Sequence, residues 1–287
     1  MSTWADVAAG PGPTRGGRGQ GRGRRGTRGG RGRGRGGSSS WPVVQHAAAA
    51  IETVMTLPLP STPDQQPDGK AFGSWIRVKV GTGRHTATYE IHRGLLGFYS
   101  GYFQVAIRNV EQGRFSESLD GTISLPDEEN KVFDAFKDWL YTKALPDAPA
   151  LDQSFLFSLH CHMLCLLWCF GDRREIPALQ NECVNRLIND MGVFNIVATD
   201  QIRFIYENTL DGSPLRRCII AVVTGIQVTD LLKGESADDW CEQSLLDLAR
   251  VLLEQPSHET WAAMIRKQCD WHVHEDGVKC VGVSDPW

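Results

Sequence analysis

Apolar and polar positions recur with two different periods along this chain, and each change of period marks an element. Trp75-Ile-Arg-Val-Lys-Val80 alternates apolar and basic residues, the pattern of a half-buried strand that ends at Gly81. Thr82-Gly-Arg84 reads as a turn, and the β-rich stretch 86–91 as the returning strand of a hairpin. The period then lengthens. Leu96, Tyr99, Phe103, Ala106 and Val110 recur at steps of three and four, so one face of a helical region is apolar. Gly97 and Gly101 interrupt that face and Ser100 can cap, which predicts a short helix followed by a longer one. Residues 121–125 predict a third short strand. Asp127-Glu-Glu129 then puts acids at the positive end of a helix whose stripe is Val132, Phe136, Trp139 and Leu140.

Beyond these, residues 155–170 are apolar nearly all round, which predicts a central, buried helix stopped by Gly171. Pro177 sits in the first turn of another helix, with Ile176, Leu179, Cys183 and Leu187 facing inward and Gly192 as its break. Helices are then predicted over 199–208, over 214–226 behind a Ser213 cap, over about 237–253, and over 259–269. A short helix over 43–55 is possible within a linker, 38–71, that is rich in Ser and Pro. No internal repeat is visible. Three short strands among many helices predict an α+β fold.

The order of these elements, with the residues in them, resembles a BTB/POZ domain of the fungal type. Trp75-Ile-Arg-Val-Lys-Val-Gly81 resembles the family's first strand, and Tyr89-Glu-Ile-His-Arg-Gly-Leu-Leu96 its x-V-H-K-x-L-L segment, with His92 at the family's His. Tyr99-Ser-Gly-Tyr-Phe103 resembles x-S-P-Y-F, with Gly101 where the family usually has Pro. Thr122-Ile-Ser-Leu-Pro126, Val132-Phe133, Trp139-Leu-Tyr-Thr142, Phe170-Gly-Asp172 and Ile176-Pro-Ala-Leu-Gln-Asn181 follow in the family's order. The resemblance implies a BTB/POZ fold, a helical cluster with a short three-stranded sheet, over 72–190. It also implies an all-α C-terminal extension over 191–287, since residues 200–226 resemble the extension of fungal relatives.

Composition adds a strong asymmetry. Of the 24 residues 14–37, 12 are Gly and nine are Arg: Arg15, Arg18, Arg22, Arg24, Arg25, Arg28, Arg31, Arg33 and Arg35. With Asp6 as the one acid, residues 1–37 carry +8, which leaves −12 for the rest of a chain of net charge −4. So much Gly and Arg has nothing to bury, so 1–71 is expected to be a disordered leader and linker. The Gly21-Arg-Gly-Arg-Arg-Gly26 match to a dinucleotide fingerprint carries no weight, because no strand precedes it and no amphipathic helix follows. The tail has the composition of an RGG box. Its guanidinium groups can pair with phosphate and stack on bases, so the nine Arg are candidate RNA-binding residues; a solubilising leader is the alternative.

No basic-then-apolar leader opens the chain, and the longest uninterrupted apolar run, 163–170, is too short to span a bilayer. The eight Cys lie mostly in apolar helical patterns. Reduced thiols, a nuclear or cytoplasmic location and no membrane partner are therefore expected.

Candidate chemistry is sparse. No nucleophile elbow, zincin motif or phosphate-binding loop occurs, so no enzyme activity is expected. His92 could act as a base; the resemblance implies instead that it sits at a strand-to-helix junction and orients backbone. Cys161, Cys165 and Cys169 share a helix stripe flanked by His160 and His162; their apolar neighbours favour core packing over metal binding. Cys269, His272, His274 and Cys280 form the sharper cluster, a candidate Zn²⁺ set in which His272 and His274 share one side of an extended segment. An oxidised pair or two idle thiols are the alternatives for Cys269 and Cys280.

The apolar excess at the start of the body predicts self-association. Trp75, Ile76 and Val78, with Leu95, Phe98 and Tyr102, are the candidate dimer interface, and relatives place this strand and first helix at a two-fold interface. The resemblance implies an interaction module that dimerises and recruits protein partners, with delivery of substrates to a cullin-type ubiquitin ligase as one such role. An RNA-associated regulator that uses the BTB domain to oligomerise is the second reading.

Overall fold

Strand β1 (Trp75–Val80) is the centre of a three-stranded sheet. It pairs antiparallel with β2 (Ala87–His92), from Trp75 opposite His92 to Val80 opposite Ala87. It pairs parallel with β3 (Thr122–Leu125), from Arg77 opposite Thr122 to Val80 opposite Leu125. Alternation decides the facing: Ile76, Val78 and Val80 are buried, whereas Trp75, Arg77 and Lys79 face out. The chain leaves β1 through Gly81, whose φ is +77° and whose hypothetical Cβ would stand 2.7 Å from the His85 carbonyl oxygen, so only Gly fits.

The computed structural model describes residues 69–112, 121–149, 154–226, 234–254 and 268–274, all within the unit Val43–Trp287. After the hairpin come α1 (Arg93–Tyr99) and α2 (Gly101–Glu111), divided at Ser100. Ser100 is extended, and its Oγ accepts the Phe103 N–H at 3.0 Å, the predicted cap. Helix α3 (Asn130–Thr142) buries Val132, Phe133, Phe136, Trp139 and Leu140. Helices α4 (Ser154–Arg173) and α5 (Pro177–Phe194) form an antiparallel hairpin. The helices α6 (Ile202–Asn208), α7 (Pro214–Ile226) and α8 (Glu242–Glu254) follow. Short 3-10 turns, Thr199–Gln201 and Gly234–Asp239, precede α6 and α8. Rings of α2, α3 and α4 join the core, with Phe136 6.2 Å from Phe103 and 4.7 Å from Phe170. The fold is α+β, a small mixed sheet with, among the described residues, eight α-helices.

Several boundaries differ from the sequence reading. Gly171 does not stop α4, which runs to Arg173; it lets α5 approach, since a Cβ there would sit 3.0 Å from Gln180 Cγ. Gly192 lies inside α5, which ends at Asn195 in the left-handed region, φ 51°. The expected division at 190/191 therefore falls within a helix. Helix α4 is buried along its C-terminal part but exposes Phe155, Leu156 and Leu159 in its first turns. It is long and apolar enough to cross a membrane, yet 56% of that window is buried in the fold. Ser213 precedes α7 and its carbonyl accepts the Arg217 N–H, but its buried Oγ, the expected cap, has no hydrogen-bond partner among the described residues. Glu128 is buried and ion-paired instead of serving the α3 dipole. The helix expected over 43–55 and all but the end of that over 259–269 lie outside the described residues.

Candidate interaction surface

The first strand and helix pair present large apolar side chains to solvent. Trp75 is 55% exposed, Phe98 48% and Val105 52%. Each is there for a local reason. Trp75 falls on the outer face of β1 and packs against His92 with the rings tilted by 34° and their centroids 3.6 Å apart. Phe98 stands beside Tyr99, which turns inward onto Trp139. Val105 lies one helical turn past Tyr102, which is half-buried under the Arg174 guanidinium at 4.5 Å. Tyr102 and Val105 also line a groove of about 370 Å³ between α2 and β3. The other expected interface residues do not share this surface. Ile76, Val78 and Leu95 belong to the monomer core, because the inner strand face and the inner side of α1 bury them.

His92 holds structure. Its backbone N–H donates to Tyr141 Oη at 3.2 Å, and its Nδ1 lies 3.0 Å from the same oxygen. The strand-to-helix junction is thereby tied to α3. Lys143, at the C-terminus of α3, sits 3.1 Å from the Tyr99 ring centre and 3.9 Å from that of Trp139. Burial pushes its pKa down to about 8, while the ring faces stand in for hydrogen-bond acceptors.

Cys161, Cys165 and Cys169 are buried with Cys183 and Cys218. Burial pushes all five thiols up, Cys169 and Cys218 to about 12. A thiol held protonated is a poor nucleophile, and packed among apolar side chains these act as small apolar groups. The flanking imidazoles are engaged elsewhere, His160 Nε2 with Asp190 at 2.8 Å and His162 Nδ1 with Gln201 at 2.8 Å.

At the C-terminal cluster, His272 is buried and its Nε2 lies 2.6 Å from Asn185 Oδ1. Burial, with a smaller contribution from His274, lowers its pKa to about 4, so the imidazole is neutral. The rings of His272 and His274 are 5.7 Å apart and Cys269 is half-buried. Cys280 lies outside the described residues, as do all nine leader Arg. Among the described residues, no three His, Cys, Asp or Glu side chains are placed to hold a metal.

Sequence reasoning missed the residues that grip the tail. Asn181 and Asn185 stand one turn apart on α5 and meet Val273 and His272. Among the other polar residues of α5, which include Gln180, Glu182, Arg186, Asn189 and Asp190, nothing in the sequence sets these two Asn apart. No family model matches the chain, and no curated protein matches it either.

Proposed function

We propose that the chain is a non-enzymatic protein-interaction module of the BTB/POZ type, acting in the nucleus or cytoplasm as a homodimerising adaptor or scaffold. The observation that carries this reading is the half exposure of Trp75, Phe98 and Val105, beside inner side chains, Ile76, Val78, Leu95 and Phe103, that are packed away. Exposed aromatic and aliphatic groups beside a groove are what a protein contact uses, and an isologous contact would use them twice. The buried, protonated cysteines support the non-enzymatic side of the proposal. An adaptor of this type would hand its partners to a larger assembly, of which a cullin-type ubiquitin ligase is the leading class.

The second reading, an RNA-associated regulator, is favoured by the nine Arg within residues 14–37. Light scattering of the whole chain at micromolar concentration tests both. A dimer mass is expected, falling to the monomer mass in Phe98→Asp with the melting transition kept. A monomeric mass for the unaltered chain would sink the dimer. Deleting 1–37 should leave the mass ratio unchanged while removing RNA binding. For nine phosphate contacts that binding has a log–log salt slope no steeper than roughly −6. Salt-insensitive RNA binding, or binding that survives the deletion, removes the second reading.

A further inference from the structure

Residues 268–274 lie as a short 3-10 turn that continues through a turn at Trp271 and a bend at His272, against α5 and α7, and the contacts are directed at main chain. Arg217 Nε and Nη2 both donate to the Asp270 carbonyl oxygen, at 3.0 and 2.7 Å. Asn181 Oδ1 accepts the Val273 N–H at 2.6 Å while its Nδ2 donates to the Val273 carbonyl at 3.0 Å. Between these two grips Trp271 is buried to 5% exposure, and His272 meets Asn185. An amide side chain that pairs with both the N–H and the C=O of one residue is reading main chain, not a side chain. Any peptide of suitable shape offers that backbone equally well.

Two features make the resident segment an imperfect occupant. Trp271 Nε1 is buried and has no hydrogen-bond partner among the described residues, a loss that a Phe in its place would not carry. Beside Trp271 and Asp270, a cleft of about 560 Å³ runs between α7 and α8, walled by Thr224, Gly225, Arg250 and Val251. That volume is in the range of ligand pockets, and the segment lies at its edge.

We propose that this face is a peptide-recognition seat which the chain's own tail occupies as a built-in competitor. Its external ligand is a short segment of a protein partner that takes up the same turn and bend. That segment places an aromatic residue in the Trp271 position, two residues before the one whose backbone Asn181 grips. The seat lies on α5 and α7, so its test does not depend on self-association through the first strand and helix pair.

The probe is a fluorescein-labelled peptide Gln-Ser-Asp-Phe-His-Val-His, the tail segment with Ser for Cys and Phe for Trp. Fluorescence polarisation is read against the whole chain and against whole chains in which the resident segment is loosened. Two loosening variants serve, Trp271→Ala, which removes the buried anchor, and Val273→Pro, which removes the N–H that Asn181 accepts. At least one that keeps a native melting transition should bind the probe about tenfold tighter than the unaltered chain does. Adding Asn181→Ala to it should weaken binding by about tenfold, through loss of two main-chain hydrogen bonds. A peptide with Ala in place of Phe should not compete. Absence of probe binding to every folded loosening variant, or binding indifferent to Asn181→Ala, overturns the proposal.

Discussion

Around the sheet, apolar side chains fix the structure and the polar contacts are superficial; from α4 onward, buried polar pairs tie one helix to the next. Ile76, Val78, Val80, Ile91, Ile123 and Leu125 form the inner layer of the sheet. The ion pair across its outer face, Arg77–Glu90, is 3.9 Å long between largely exposed side chains, a type of pair worth little. Glu128, just ahead of α3, holds Arg173 and Arg174 at the end of α4, and within the α4–α5 hairpin of the helical half Asp190 holds His160 and Arg186. Arg216 is buried against the Tyr206 and Thr209 carbonyls and the Asp211 carboxylate. The difference follows from the forces. Hydrophobic burial is non-directional, so it sets which face turns inward but leaves the slide of one helix along another weakly fixed. A buried charge is costly unless its partner is in place, so each such pair penalises every other register.

The strongest test of this contrast compares two glutamates. Glu128 accepts from Arg173 Nε at 3.2 Å, Arg173 Nη2 at 2.9 Å and Arg174 Nη2 at 3.0 Å, with its side chain 4% exposed. Glu128→Ala leaves Arg174, mostly buried between the Tyr102 and Phe170 rings, without its carboxylate. A loss of about 3 kcal/mol is expected in urea denaturation. Glu90→Ala should stay within about 0.5 kcal/mol of the unaltered protein. Similar losses for the two would erase the distinction between the halves.

The same contrast explains what the sequence disclosed. The β1 alternation, the Ser100 split and the α3 stripe were readable because each rests on local period or local capping. The burial of Ile76 and Val78 was equally written in that alternation, and grouping them with Trp75 as a surface patch set period two aside. Gly171 and Gly192 were misread as stops. A glycine's low helix propensity is a weak local prior, and close packing of α4 on α5 outweighs it at Gly171. Glu128 was misread for a related reason. An acid before a helix has a local explanation in the dipole, whereas its partners stand 45 and 46 residues away. The tail seat was further from reach, since Asn181 and Val273 are 92 residues apart and nothing local announces their contact.

A smaller effect is expected in acid. Burial raises the Asp190 pKa, but hydrogen bonds from His160 and Arg186 outweigh that, and the net shift is downward. A carboxylate with a depressed folded-state pKa contributes stability that is complete above its unfolded value of about 3.9. That contribution disappears as the pH falls through the folded value. Asp190→Asn should therefore cost about 2 kcal/mol at pH 7 and show a shallower acid limb below about pH 4. Urea midpoints measured from pH 7 down to pH 2 report both. Parallel acid limbs for the two proteins would mean that this buried pair does not distinguish the helical half.

Ser100 joins the two halves, and its removal separates their contributions. Its Oγ accepts the Phe103 N–H within α2 and donates to the Arg174 carbonyl at the end of α4, 2.6 Å away. Ser100→Ala loses both and should cost about 1–2 kcal/mol, the sum of a lost cap and one lost buried hydrogen bond. Ser100→Gly also loses both side-chain bonds, but Gly is nearly as good as Ser at a helix N-cap, within a few tenths of a kcal/mol. Whatever Gly fails to recover therefore measures the link to Arg174. If polar ties between elements dominate the helical half, Gly should recover less than half of the Ala loss. Full recovery by Gly would make Ser100 a local cap only, and the two halves would then meet through apolar packing and the Glu128 cluster alone.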